Sequence, residues 1–199
     1  MNNDIICICY SRTGKTRKAM REISGALDCQ LIEVRDRIRR GGAIGALRCG
    51  LDAMRRRTWA ITKFETERPL WEYKLVILGT PVWGGRCSSV MRGLLKRRGY
   101  EMSNVAYVIT HKTEERYTEI FDQMDQYVLK PHVAAVSLCP GSTGYHFWRR
   151  QFLKQCAEFA GVELVLTDED EAAEANHEAA ASDRPQDGKM IAENMDTEH

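Results

Sequence analysis

Two hydrophobic rhythms alternate along this chain. Ile5 to Tyr10 is a short apolar run of the kind a strand shows when both its faces are covered. From about Gly14 to Leu27 the rhythm changes, and Ala19, Met20, Ile23 and Leu27 fall on one helical face. Cys29 to Val34 predicts a second strand and Leu75 to Leu78 a third. A helix with Val90, Met91, Leu94 and Leu95 follows, with Gly99 as its C-terminal cap. Val105 to Ile109 predicts the fourth strand, and Tyr117, Ile120, Phe121, Met124 and Val128 step at helical spacing. Val133 to Leu138 is the fifth strand, and Trp148, Phe152, Cys156 and Phe159 mark the last helix. Strands that alternate with helices need crossover connections, so the pattern predicts a doubly wound, five-stranded parallel α/β sheet with helices on both faces.

Two segments break the alternation. Between the second and third strands lies an insertion, Arg35 to Tyr73, in which Ile44, Leu47, Leu51 and Met54 form one apolar helical stripe. Arg48, Arg55, Arg56 and Arg57 lie mostly off that stripe. From residue 163 to 199 the chain turns acidic and alanine-rich, a composition that predicts a flexible tail or a loosely attached helix. The expected organisation is one domain over residues 1–162 with a basic helical insertion, followed by the tail.

Composition adds an asymmetry. The formal net charge is only +1, but residues 168–199 hold eleven acids against Arg184 and Lys189, leaving 27 basic and 17 acidic side chains on the rest. No apolar run reaches the ~20 residues of a membrane-spanning helix. The N-terminus lacks a signal-peptide pattern, which favours the cytoplasm. Seven cysteines without framework spacing read as reduced, mostly buried thiols, and five scattered histidines suggest no metal site.

Ligands of doubly wound sheets bind beyond the carboxyl ends of the strands. After the first strand comes Ser11-Arg12-Thr13-Gly14-Lys15-Thr16, opening a helix. Hydroxyls at Ser11, Thr13 and Thr16 can donate to phosphate oxygens, Gly14 permits a tight turn, and the free N–H groups of the helix start favour an anion. A simple helix cap would need only one of those hydroxyls. A P-loop would require glycine five positions before Gly14, where Cys9 stands, and the third strand lacks an acid to hold magnesium. A low-molecular-weight phosphatase loop would need arginine at position 13 or 15, where Thr13 and Lys15 stand.

After the third strand comes Gly79-Thr80-Pro81-Val82-Trp83-Gly84-Gly85. Its tryptophan offers a flat face to a planar ligand, and its glycines let backbone amides approach the ligand's polar edge. After the fourth strand comes Thr110-His111-Lys112-Thr113, with Tyr117 a turn later; His111 could stack on or donate to a ligand there, and Lys112 could stabilise an anion. After the fifth comes Cys139-Pro140-Gly141-Ser142-Thr143-Gly144-Tyr145, a lining loop.

The first two loops carry a resemblance to the flavodoxin family. Ser11-x-Thr13-Gly14-x-Thr16 resembles its FMN phosphate loop, and Leu75 through Gly85 resembles its third strand and first flavin-flanking loop. The likeness in pattern covers roughly residues 4–160 and is specific only at those two places. It implies FMN as cofactor, a phosphate held by Ser11 to Thr16, an isoalloxazine packed against Trp83, and backbone groups of Thr80 to Gly85 near ring atom N5. The fourth loop departs from the aromatic or glycine-rich loop usual in relatives. The body is also basic where flavodoxins are typically acidic.

The resemblance implies an FMN redox protein, either an electron carrier or a small flavin-dependent oxidoreductase acting with NAD(P)H or a quinone-type molecule. No side chain need act as general acid or base for that chemistry. The alternative is a flavodoxin-fold interaction module that works through its Arg-rich insertion without efficient FMN use. Basic residues such as Arg35, Arg37, Arg39, Arg40, Arg55, Arg56 and Arg57 could steer an acidic partner protein or an anionic ligand. They lack the interleaved aromatics of a nucleic-acid surface.

Overall fold

The computed structural model describes residues 2–35, 64–113 and 117–165. Strand β1 spans Asn2–Cys9 and is followed by helix α1, Lys15–Ala26, and strand β2, Cys29–Glu33. A 3-10 turn at Leu70–Glu72 leads into β3, Leu75–Trp83, and the two-residue strand β4, Arg86–Cys87. Helix α2, Ser89–Arg98, precedes β5, Val105–Thr110; helix α3, Glu119–Val128, precedes β6, Ala134–Leu138; helix α4 spans Tyr145–Ala160.

The strand order is β2-β1-β3-β5-β6, all parallel, with β4 paired antiparallel to the end of β3. Setting β4 aside, this is the flavodoxin-like order 2-1-3-4-5, whose direction of winding reverses between the first and third strands. The doubly wound α/β architecture read from the sequence is therefore the one observed.

The two-residue period of the strands divides the core. Ile5, Cys7 and Cys9 of β1, Leu75 and Ile77 of β3, and Ala106 and Val108 of β5 pack with Met20 and Ile23 of α1 and Phe152 and Cys156 of α4. The intervening Ile6, Ile8, Val76, Leu78, Tyr107 and Ile109 pack with Val90 and Leu94 of α2 and Ile120 and Met124 of α3. This is why the strands read as unbroken apolar runs.

Several local expectations change. The third strand does not end at Leu78. It runs on to Trp83, Pro81 aligns with Thr110 of β5, and Gly84 and Gly85, at φ 53° and 69°, turn it into β4. Two central residues with positive φ suit a tight type I′ hairpin, so the expected loop is mostly strand. Gly99 is not a left-handed cap: its φ is −59° and the chain continues into a 3-10 turn. A Cβ there would lie 2.8 Å from the Tyr127 carbonyl oxygen, so glycine serves the close approach of α2 to α3. On α4, Trp148 and Phe159 are substantially exposed, and the buried face is Tyr145, Phe152, Leu153, Cys156 and Ala160.

Only the first three residues of the expected tail are described. Leu164 packs on the core and the Val165 amide donates to the Ala26 carbonyl at 2.9 Å, so the described start of that segment lies against the domain. The apolar stripe of the insertion, its Arg37, Arg39, Arg40, Arg48, Arg55, Arg56 and Arg57, and the acidic run beyond residue 165 lie outside the described residues.

Candidate functional site

The loops after β1, β3 and β5 meet at the carboxyl end of the sheet around a cleft of about 300 Å³. Every residue singled out in the first three loops lines it except Ser11, Gly14, Gly79 and Thr80. Lys112, Thr113 and Tyr117 complete the wall.

The β1 loop is built from within. Ser11 Oγ accepts a hydrogen bond from the Gly14 amide at 3.1 Å, which folds the loop over itself, and Gly14 takes the left-handed conformation at φ 88°. Gly79, paired with Cys9 in the sheet, lets α1 approach: a Cβ there would stand 2.4 Å from Met20 Cγ. The result is a helix start without a side-chain cap, aimed into the cleft. Thr16 Oγ1 lies 2.7 Å from Thr110 Oγ1, tying α1 to the end of β5. If Thr110 donates in that pair, the Thr16 hydrogen is left for a ligand.

Thr80 serves the fold. Its Oγ1 accepts from the Ser88 amide at 3.1 Å and lies 3.0 Å from Ser88 Oγ, and Ser88 in turn caps α2 by accepting from the Met91 amide. Only its backbone remains for a ligand. Trp83, just beyond, is braced edge-to-face by buried Tyr10, with ring centroids 5.6 Å apart.

On the opposite wall, His111 Nδ1 faces the Thr113 carbonyl, which only accepts, so Nδ1 carries a proton. Nε2 lies 2.8 Å from Ser137 Oγ. Both nitrogens are thus engaged, and His111 offers a ligand its ring surface rather than a spare donor. Tyr117 stands against it edge-to-face, centroids 5.3 Å apart. The Ser137 contact and the Tyr10 brace join residues far apart in sequence, and nothing in the local pattern signals them.

The cleft is electropositive. Arg12, Lys15 and Lys112 line it, no carboxylate does, and none of the three cations has an ion-pair partner among the described residues. Thr13 keeps its hydroxyl unbonded among the described residues. The α1 dipole adds to the positive potential. Such a donor set suits a phosphate at one end, and Trp83 with the positive-φ glycines suits a planar ring at the other.

The buried thiols offer no competing chemistry. Burial pushes Cys87 up to about 11 and Cys9 up to about 12. Cys7 is raised by its contact with Cys29, Sγ to Sγ 3.6 Å, and by burial. Thiols held protonated in this way are poor nucleophiles. Among the described residues no group of three or more ligating side chains could hold a metal ion, and no helix is long and apolar enough to cross a membrane.

No family model matches the sequence, and no curated protein matches it. Solved structures do. A flavoprotein from Lactobacillus acidophilus, determined in complex with FMN, aligns with a TM-score of 0.57 at 18% identity, covering 74% of this chain and 99% of its own. A candidate flavoprotein from Bacteroides eggerthii aligns at 0.64 and 14% identity, over 81% of this chain and 100% of its own. One from Bacteroides uniformis aligns at 0.60 and 15% identity, over 79% and 99%. Identities this low speak for the backbone architecture alone, and the chain is accordingly a protein of flavodoxin-like fold.

Proposed function

We propose that the cleft binds FMN and that the protein is a flavin-dependent redox protein. The observation that carries the reading is the convergence, at the winding reversal of the sheet, of a phosphate-type donor set, unpaired among the described residues, with a braced tryptophan. In this reading Thr13, Arg12, Lys15 and the first amides of α1 hold the phosphate. Trp83 covers one face of the ring system, and the Gly84-Gly85 turn gives it close backbone contacts. The His111–Tyr117 wall limits water on the other side. Bound FMN would supply the electron chemistry, while the protein supplies orientation and electrostatics. The FMN complex of the Lactobacillus acidophilus relative is consistent with this assignment.

The positive cleft favours an oxidoreductase or carrier that meets anionic donors or acceptors, such as NAD(P)H or an acidic partner protein. Steady NADH or NADPH oxidation by the FMN-loaded protein would assign it to the reductases, and none with several quinone and dye acceptors would assign it to the carriers.

Titration of the purified apoprotein with FMN, followed by visible absorption and flavin fluorescence, tests the cofactor. Saturable binding is expected, weakened about tenfold by Thr13→Ala, which removes one hydrogen bond to a charged group, and at least as much by Trp83→Ala. No saturable binding by the wild-type chain would refute the reading and leave the Arg-rich insertion as the place to look.

A further inference from the structure

Behind His111 lies a second chamber, of about 230 Å³, that shares only this residue with the cleft. Its remaining walls come from the end of β6, the Cys139–Gly144 loop and the first turns of α4. Most of the polar groups there are spent on the protein. Ser137 faces His111 Nε2, Ser142 Oγ donates to the Cys139 carbonyl at 2.9 Å, and the Tyr145 hydroxyl donates to Glu22 at 2.7 Å. The Thr143 hydroxyl has no partner among the described residues. Trp148 lies so close over the loop that a Cβ on Gly144 would be 3.3 Å from its indole, which presents a flat, half-exposed wall.

The lining contains neither a carboxylate nor a lysine or arginine. A charged ligand would find no counter-charge on these walls, and a pure hydrocarbon would make no use of the hydroxyls, of which the exposed Thr143 is open to a ligand. The unspent groups are one good donor at Thr143 and acceptor lone pairs on Ser137, Ser142 and Thr143, which together ask for a ligand that both accepts and donates. We propose that this chamber is a second binding site, for a single planar aromatic ring carrying a carboxamide. Its ring packs on Trp148 and its amide meets Thr143 and the neighbouring serine oxygens. His111, held by the Thr113 carbonyl at Nδ1 and by Ser137 at Nε2, forms the wall between the chamber and the cleft. The proposal stands apart from the FMN reading, because none of the chamber's other residues lines the cleft.

Benzamide, benzoate and toluene separate the chemistries, with binding to the full chain followed by ligand-observed NMR. Benzamide should bind with a dissociation constant on the order of 1 mM, as a ring of that size in a small pocket allows, and the other two at least tenfold more weakly. Thr143→Val and Trp148→Ala should each weaken benzamide threefold or more while leaving the FMN titration unchanged. Saturating FMN should leave benzamide bound. Displacement of benzamide by FMN, equal binding of benzoate or toluene, or variants that bind benzamide like the wild type would each overturn the proposal. If FMN fails to bind while benzamide binds as described, the cofactor reading falls and the chamber stands.

Discussion

The Thr16–Thr110 bond gives the sharpest test of how the cleft is held together. Thr16 and Thr110 are 2% and 4% exposed, and their hydroxyl oxygens are 2.7 Å apart. Thr16→Val keeps the side-chain shape but leaves the Thr110 hydroxyl without its partner. Stranding a buried hydroxyl costs about 1–3 kcal/mol. Both residues border the cleft, so cleft water can partly satisfy the orphan, and the expected cost lies near the lower end, about 1–2 kcal/mol. Thr110→Val should cost a similar amount. The double variant removes both polar groups and should return to within ~0.5 kcal/mol of the wild type, giving a coupling energy of about 2–4 kcal/mol between the sites. Urea denaturation of the apoprotein measures this directly. With a slope of about 2 kcal/mol per molar urea, each single variant should lower the midpoint by roughly 0.5–1 M without changing the slope. Single variants indistinguishable from wild type, or a double variant whose loss equals the sum of the singles, would refute the claim that this pair pins α1 to β5.

Gly79→Ala should destabilise the apoprotein by about 1–3 kcal/mol in the same assay, because the added methyl meets Met20 Cγ at 2.4 Å and Cys9 Cβ at 3.0 Å on the face where α1 lies on the sheet. Stability should be flat at neutral pH and fall as pH rises above about 9. Cys87 and Cys9 have folded values of about 11 and 12, so the unfolded chain loses those protons first. Each thiol contributes a loss of up to ~1.4 kcal/mol per pH unit until its folded value is reached, and Cys87→Ala should make the urea midpoint fall less steeply between pH 9 and 11. Iodoacetamide at pH 8, mapped by peptide mass spectrometry, should label the partly exposed Cys139 well before Cys7, Cys9, Cys29, Cys87 or Cys156. FMN affinity should fall as salt rises from 0.05 to 0.5 M, and less steeply in Arg12→Gln or Lys15→Gln, because these cleft-lining cations are screened by added ions.

The sequence by itself determined the layers and pointed to the loops around which a cleft lies. Unbroken apolar strands alternating with amphipathic helices admit few arrangements other than a parallel sheet covered on both faces. Ser11 to Thr16 and Thr80 to Gly85 stood out locally, because turn residues and hydroxyls at a helix start act over a few positions. What only the tertiary structure decided was the use to which each group is put. The Thr80 hydroxyl is taken up by Ser88, which leaves its backbone for a ligand, and His111 reads like a donor until Thr113 and Ser137 are seen to engage both its nitrogens. Gly99 reads like a left-handed cap until it is seen capping α2 in right-handed geometry with the Tyr127 carbonyl against it, and Trp148 reads as one of the apolar marks of its helix until it is seen walling the chamber. These outcomes depend on partners far along the chain. A hydrogen bond or a close approach is fixed by three-dimensional distance, which the local hydrophobic pattern does not encode.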